Sequence, residues 1–491
     1  MLGGQMPQRR AMAAGAVRVL SLASWCAVVA HGGSDTCDAG GLMGWVPSAE
    51  GATSGHFPGR KVAQVPEANW PVGTDQTKYL WAYCTASQGF GDSIRWFYDL
   101  IGLALKTKRT LIPPPISFSE VDMSELAGMD PYKMQAEDPD GWAGKVQAAG
   151  LNLITSKKRF VPFTQWFDRK LLEKLLPVLE WREWHGTSKG RVPFVVVPGK
   201  GAHAAGCDPK WAKLCKGEPQ HEWDTSPENW IKDPSSKEPR QLRRNDDEIF
   251  YERIHCMGDE DRGLEFKEMQ HMPNVAEGAK VMAHYDKEQV LGLDGFCSSA
   301  SILTFDDTRH SANPIFQQIR AHMRFAPAIT QAAQAFQDRQ AALSGKFIAI
   351  HWRHGDIFNM DPASELKNHG SKSLIKRVKR AMDQEYPGAL RSVSGVFLLT
   401  NTYQESELQE IEMQAREVLG VPLVRFTSDD WILDTAVDMV LASKAEYLFF
   451  THCGSFFTTF IEQERDMLPD GTYSFRSHDV PPMCLNRVLQ E

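Results

Sequence analysis

The chain has 491 residues, 42% of them apolar and 24% charged, and a net charge of −8. That length exceeds one ordinary hydrophobic core and predicts two domains, while the apolar and charged shares are those of a soluble globular protein. The acidic balance gives no support to general nucleic-acid binding, which needs a basic face; no nucleic acid is expected as a partner, although a local basic pocket is compatible with that balance.

Residues 1–30 carry the marks of a signal peptide. Arg9 and Arg10 form a basic n-region, residues 19–30 are an apolar run, and Val28 and Ala30 suit cleavage after Ala30. The run is too short to span a bilayer comfortably and no other segment is long and apolar enough, so no stable membrane span is expected. Apart from Cys26 in this leader, Cys37, Cys84, Cys207, Cys215, Cys256, Cys297, Cys453 and Cys484 are available for disulfides in a secretory chain; the sequence does not choose their pairing. None has the CxxC spacing of a zinc site, and no metal is expected. Residues 31–74, rich in Gly, Ser, Pro and Ala, read as an irregular leader.

From Tyr79 the pattern becomes regular. YLWAYC (79–84) predicts a strand, ASQGFGDS a turn, and Ile94, Phe97, Tyr98, Ile101 and Leu105 recur at helical spacing. Lys106, Lys108 and Arg109 suit the negative end of that helix. RTLIPPPI predicts a second strand stopped by prolines, completing a strand–turn–helix–strand unit that begins a parallel sheet. Residues 185–300 carry many Lys, Glu, Asp, Pro and Trp residues without a strong period; they read either as a loop-rich insertion or as a variable part of the first domain. A helical region runs from Asn313 to Ala341, followed by the apolar strand KFIAIHW. Helices and strands then alternate: a helix face of Leu374, Ile375, Val378 and Met382, the strand GVFLLT (395–400), a helix closed by Gly420, the strand VPLVRF, a helix over 433–444, the strand EYLFFT (446–451) and a last helix over 455–467. This alternation predicts an α/β chain with two Rossmann-like domains, 75–340 and 341–491.

Four loops carry chemistry. HWRHGD ends a buried strand in cations, where open α/β sheets bind ligands; the planar fork of Arg353 suits phosphate, and His351 would bond a sugar or a phosphate. Alternatively, Arg353 and Asp356 form a surface ion pair. QGFGDS (88–93) joins a strand to a helix start that favours anions, but it is not GxGxxG, and by itself a plain turn in which Asp92 caps the helix is the better account of it. Asp438, on a helix, would accept from a base or ribose, or would sit on a solvated face. Gly454-Ser455 opens the last helix as a phosphate cradle or an ordinary N-cap. Nucleophile elbow, P-loop and HExxH motifs are absent from the sequence.

Together these loops resemble the GDP-fucose protein O-fucosyltransferase family. GFGDSIRWFYDLIGLALKTKRTLIPPP is similar to its glycine-rich first loop, helix and strand; IAIHWRHGD to its His-x-Arg motif; VFLLTNTYQESEL to its VATD strand and helix; and the segment ending in Glu464-Arg465-Asp466 to its closing segment. The resemblance covers residues 79–115 and 346–476. It implies a GT-B fold, two Rossmann-like domains facing across a cleft, with GDP-fucose on the C-terminal side and residues 185–300 on the acceptor side. It implies an inverting, metal-independent transfer of L-fucose from GDP-β-L-fucose to Ser or Thr of an EGF-like or thrombospondin-type repeat, in the endoplasmic reticulum. Carried over by residue, the donor site comprises Gly89, Phe90, Gly91, Asp92, His351, Arg353, Asp438, Ser455 and Phe456, with Arg353 the catalytic charge stabiliser.

The chain departs from the family pattern at three places. Asp92 stands where EGF-directed members carry Asn, Gln88 where the thrombospondin-directed type carries Glu, and Asn401 replaces the acid of VATD. A glycan-directed fucosyltransferase, or an inactive secretory binding protein with the same fold, are the competing expectations.

Overall fold

The computed structural model describes residues 18–20, 75–83, 90–114, 116–122, 129–151, 154–188, 191–198, 240–244, 247–251, 253–257, 274–294, 305, 308, 313–354, 361–402, 404–452, 455–467 and 481–485. All of the 31–74 leader and the loop residues Gln88 and Gly89 lie outside them. Of the expected signal peptide, residues 18–20 are described, as a short edge strand beside Ile116–Asp122.

Two parallel sheets organise the chain. The first contains β1 (Asp75–Tyr83), β2 (Arg109–Ile112), β3 (Val195–Pro198), β4 (Ile254–Met257) and β5 (Val290–Asp294), in the spatial order β4-β3-β5-β1-β2. The second contains β6 (Lys346–Trp352), β7 (Val393–Thr400), β8 (Leu423–Val424), β9 (Tyr447–Phe450) and β10 (Met483–Cys484), in the order β8-β7-β6-β9-β10. Every pairing within both sheets is parallel. The helices that matter below are α1 (Phe90–Thr107), α2 (Pro131–Glu137), α3 (Val275–Ala283), α4 (Pro314–His322), α5 (Pro327–Arg339), α6 (Pro362–His369), α7 (Ser371–Glu385), α8 (Glu405–Gln414), α9 (Trp431–Ser443) and α10 (Phe456–Arg465). These are two Rossmann-like lobes, the GT-B architecture that the resemblance implied.

Strands buried on both faces read as continuous apolar runs, and both sheets show it. Side chains of β6 divide by alternation: Phe347 and Ala349 join a core that also contains Leu80, Phe97 and Leu293 of the first lobe. Ile348, Ile350 and Trp352 join a second core on the opposite face of the C-terminal sheet. A third, tryptophan-rich core of Trp81, Trp181 and Trp184 covers the far face of the N-terminal sheet. One continuous core therefore joins the lobes, and α1 runs through it. Trp96 to Leu105 are all buried, so this stretch of α1 is enclosed on all sides, as a helix segment in the middle of a large core must be.

Several expectations need correction. Arg109 does not serve the end of α1: it opens β2, is fully buried, and donates to the carbonyls of Glu288 at 2.8 Å and Tyr285 at 3.1 Å. Of the two readings of the aperiodic region 185–300, the structure favours a part of the first domain, since the region supplies β3, β4 and β5 of the first sheet. The helical region before β6 is two helices, broken at Met323–Ala326, where Phe325 bridges to Phe167. Gly420 behaves as expected, closing the α8 segment at φ 74°. Cys484 is disulfide-bonded.

The Glu-Arg-Asp run at the end of α10 is structural. Glu464 bonds Arg320 of α4 and Arg324 just beyond it, the latter at 3.0 Å, and the Arg320 side chain is completely buried. Arg465 donates to the carbonyls of Ala445 and Glu446 ahead of β9. Removing one partner of a buried pair strands the other charge away from water. Glu464→Ala is therefore expected to lower unfolding free energy by about 3–5 kcal/mol, measured by denaturant titration.

Candidate functional site

The C-terminal sheet reverses its strand order between β6 and β9. From β6 the chain proceeds outward to β7 and β8, whereas β9 and β10 lie on the other side. Such a switch point leaves a crevice at the carboxyl ends of the two strands. Here His351 is in register with Phe450, and the Thr451 N–H donates to the His351 carbonyl at 3.2 Å. The loops carrying Arg353 and Ser455 therefore start side by side.

His351 is buried and held from two directions. Its Nδ1 lies 2.8 Å from Thr458 Oγ1, and its ring lies against Phe457 at a centroid distance of 4.7 Å. Both partners belong to the first turn of α10, so the last motif positions the histidine of the second. Ser455 sits at the N-cap with φ −64° and ψ 123° and makes no side-chain capping bond; its carbonyl accepts the Thr459 N–H at 3.0 Å. Phe456, partly exposed, faces the guanidinium of Arg95 from α1 at 4.6 Å. Tyr98 of α1 donates to Gln463 at 2.9 Å. In this way the first motif reaches the last, although hundreds of residues separate them. Phe90, Gly91 and Asp92 form the first turn of α1, which begins two residues before Asp92 and so makes it an internal helix residue rather than the cap. Gly89 lies outside the described residues.

Arg353 is half-buried immediately beyond β6. Its neighbour His354 is fully buried: Nε2 lies 2.9 Å from Glu407 Oε2 on α8, and Nδ1 lies 3.6 Å from Glu365 Oε1 on α6. Burial by itself lowers the His354 pKa, but the two carboxylates outweigh it and raise it from 6.5 to about 9. Asn401, the residue replacing the expected acid, accepts the His354 backbone N–H at 2.9 Å.

The buried polar atoms near the carboxyl ends of this sheet that have no hydrogen-bond partner include Thr451 Oγ1, directly after β9, and Asp438 Oδ1 on α9. Buried polar atoms are normally satisfied, so these two oxygens are free to accept or donate a bond to a group entering the crevice. The Asp438 carboxyl is pushed well above its usual range, first by burial and then by Asp434, with Arg425 opposing. Asp438 is thus not on a solvated face. Among the described residues no group of three or more His, Cys, Asp or Glu is placed to hold a metal ion, and no helix is long and apolar enough to cross a membrane.

The family model of the GDP-fucose protein O-fucosyltransferases matches residues 149–468, well over half of the chain. The chain belongs to this family. It is accordingly a GDP-fucose-utilising fucosyltransferase, and the matched region includes the 185–300 stretch that the sequence motifs leave uncovered. Among solved structures, POFUT1 in complex with GDP-fucose is 14% identical; the match covers 84% of this chain and 99% of that chain, with a TM-score of 0.47. Fucosyltransferase NodZ from Bradyrhizobium is 14% identical, with 79% and 94% coverage and a TM-score of 0.38. No curated protein matches the chain.

Sequence reasoning missed Thr451, Thr458, Phe457 and Arg95. The signal available was local: Thr458 follows Ser455 by one helical turn and so faces back toward the strand end. The carboxylate partners of His354 had no signal, because Glu365 and Glu407 lie on separate helices.

The His354 pKa carries a stability consequence. A folded-state value above the unfolded one means the protonated ring stabilises the fold fully below pH about 6.5, and that this contribution is lost as pH rises through about 9. The unfolding midpoint of the wild type should fall over that interval. His354→Phe, which is less stable at neutral pH, should flatten the decline.

Proposed function

We propose that this fucosyltransferase moves L-fucose from GDP-β-L-fucose, with inversion and without a metal, to a Ser or Thr hydroxyl of a small disulfide-bonded domain, an EGF-like or thrombospondin-type repeat, in the endoplasmic reticulum. The observation that carries the donor half is the convergence at the β6/β9 switch point of His351, Arg353, the α10 N-terminus and the orphaned Thr451 hydroxyl. The apolar leader and the disulfide at Cys484 agree with a secretory setting.

The acceptor oxygen attacks C1 of fucose on the face opposite the departing phosphate. The C1–O bond breaks, its electron pair leaves with GDP, and the acceptor proton passes to solvent or to the leaving phosphate. Charge on the diphosphate grows as the sugar becomes oxocarbenium-like. Arg353 and the N–H groups of the first turn of α10 would donate to such a charge and would stabilise it most where it is largest, in the transition state. Asp438 lies farther along α9 and would take the N–H edge of the guanine or a ribose hydroxyl. The start of α1, with Gly91, would contact the donor from the first lobe.

Arg353→Ala is expected to cost at least ~100-fold in turnover, the scale for losing a principal charge stabiliser. The check is GDP-fucose binding by calorimetry without added metal, followed by transfer assays on isolated EGF-like and thrombospondin-type repeats. Near-normal turnover in Arg353→Ala would overturn the role of Arg353. Donor binding with transfer only to a free glycan would overturn the protein acceptor.

A further inference from the structure

His354 is not among the residues that the family resemblance assigns, and the donor chemistry described above does not use it. Its surroundings are nevertheless built. Along β6 the even-numbered side chains Ile348, Ile350 and Trp352 enter the outer core, and the odd-numbered Phe347 and Ala349 enter the core shared by both lobes. His351 continues the inner set by packing on α10. His354 continues the outer set: its ring stacks on Trp352 at 4.4 Å and 16°, and the Trp352 indole donates to the His369 carbonyl at 2.8 Å. Arg353, the first residue beyond β6, is thus flanked by Trp352 and His354, which stack on each other and are both buried.

The His354 anchor is ionic. Each ring nitrogen faces a carboxylate from a different helix, Glu407 at 2.9 Å and Glu365 at 3.6 Å. Only the imidazolium form carries an N–H on both nitrogens. A neutral ring would leave one buried carboxylate facing a lone pair, which the low-dielectric interior penalises. The backbone is fixed as well, through Asn401. Further charged or titratable groups lie close to the anchoring carboxylates. Arg377 of α7 attracts Glu365 and sits 3.2 Å from His369 Nδ1, and Tyr132 of α2 senses Glu407 and Glu410.

Resting on the donor reading above, we propose that His354, as an imidazolium clamped between Glu407 and Glu365, is a positioning residue that holds Arg353 in its diphosphate-binding geometry. The clamp ties the β6 end to α6 and α8, so the arginine is placed before the donor arrives. Pre-placed charge costs no reorganisation when the leaving group departs, and small displacements of such a group are expensive.

The test is the Kd for GDP-fucose, measured by calorimetry between pH about 6 and 9.5 on the full chain, for wild type and Glu407→Gln. Guanine also titrates at alkaline pH, so the readout is the difference between the two proteins. Glu407→Gln keeps the shape of the side chain and removes the charge that sustains the imidazolium. Its affinity at pH about 8 is expected to fall between ~10-fold and ~100-fold, and its alkaline decline should begin nearer the ordinary histidine value of 6.5 than the wild type's value of about 9. In an Arg353→Lys background the same substitution should show less than its full effect, because the group that it positions is gone. If Glu407→Gln does not fold, Glu365→Gln is measured in the same way. Wild-type affinity with an unchanged pH profile in the folded variant would overturn the clamp while leaving the donor reading intact. A wild type that binds no GDP-fucose at any pH would instead overturn the donor reading, and the clamp with it.

Discussion

Where β6 and β9 run side by side, their last shared backbone hydrogen bond is that from Thr451 to His351. The two segments that carry His351, Arg353 and Ser455 diverge from that point. Parallel pairing puts both carboxyl ends at one edge, and the reversal of strand order sends the two following segments apart. One segment carries Arg353 and His354. The other turns into α10, whose first turn supplies Thr458 and Phe457 to hold His351. Moving the β6/β9 register by one residue would exchange the inner and outer side chains of β6 and destroy both cores as well as the site.

Buried charge is what makes this edge rigid. Arg109, Arg320 and His354 are all fully buried, and each is answered by carbonyls or carboxylates from other elements. Such groups add little net stability, because desolvation consumes most of the attraction. Their effect is on uniqueness of position: each bond is directional or short-ranged, and a shifted helix leaves a charge stranded. Glu464 fixes α10 against α4, and Glu407 with Glu365 fixes the β6 end against α8 and α6.

Much of this was legible in the sequence. The strand KFIAIHW stands out because a strand buried on both faces has no polar alternation, and the cations after it stand out because they follow such a run. Gly420 was readable as a helix terminator because only a residue without Cβ takes φ 74° cheaply. The 185–300 region was not legible. Its strands are short, and β5 is stabilised by pairing with β1 and β3 rather than by any local periodicity. Arg109 misled for the same reason: next to a helix end it reads as a capping cation, and only the three-dimensional position of Glu288 and Tyr285 shows the carbonyls that it serves.

The sequence by itself determined the class of the fold, the order of most of its elements and the cationic loop that follows β6, since these follow from periodicity and from chemistry carried by neighbouring residues. Tertiary structure decided how those residues are held. Thr458 on His351, Arg95 on Phe456, Asn401 on the His354 backbone and two glutamates on its ring are contacts between segments far apart in the chain. No local pattern encodes such a pair, because the physical cause, packing of one element's face on another's, exists only once the chain has folded.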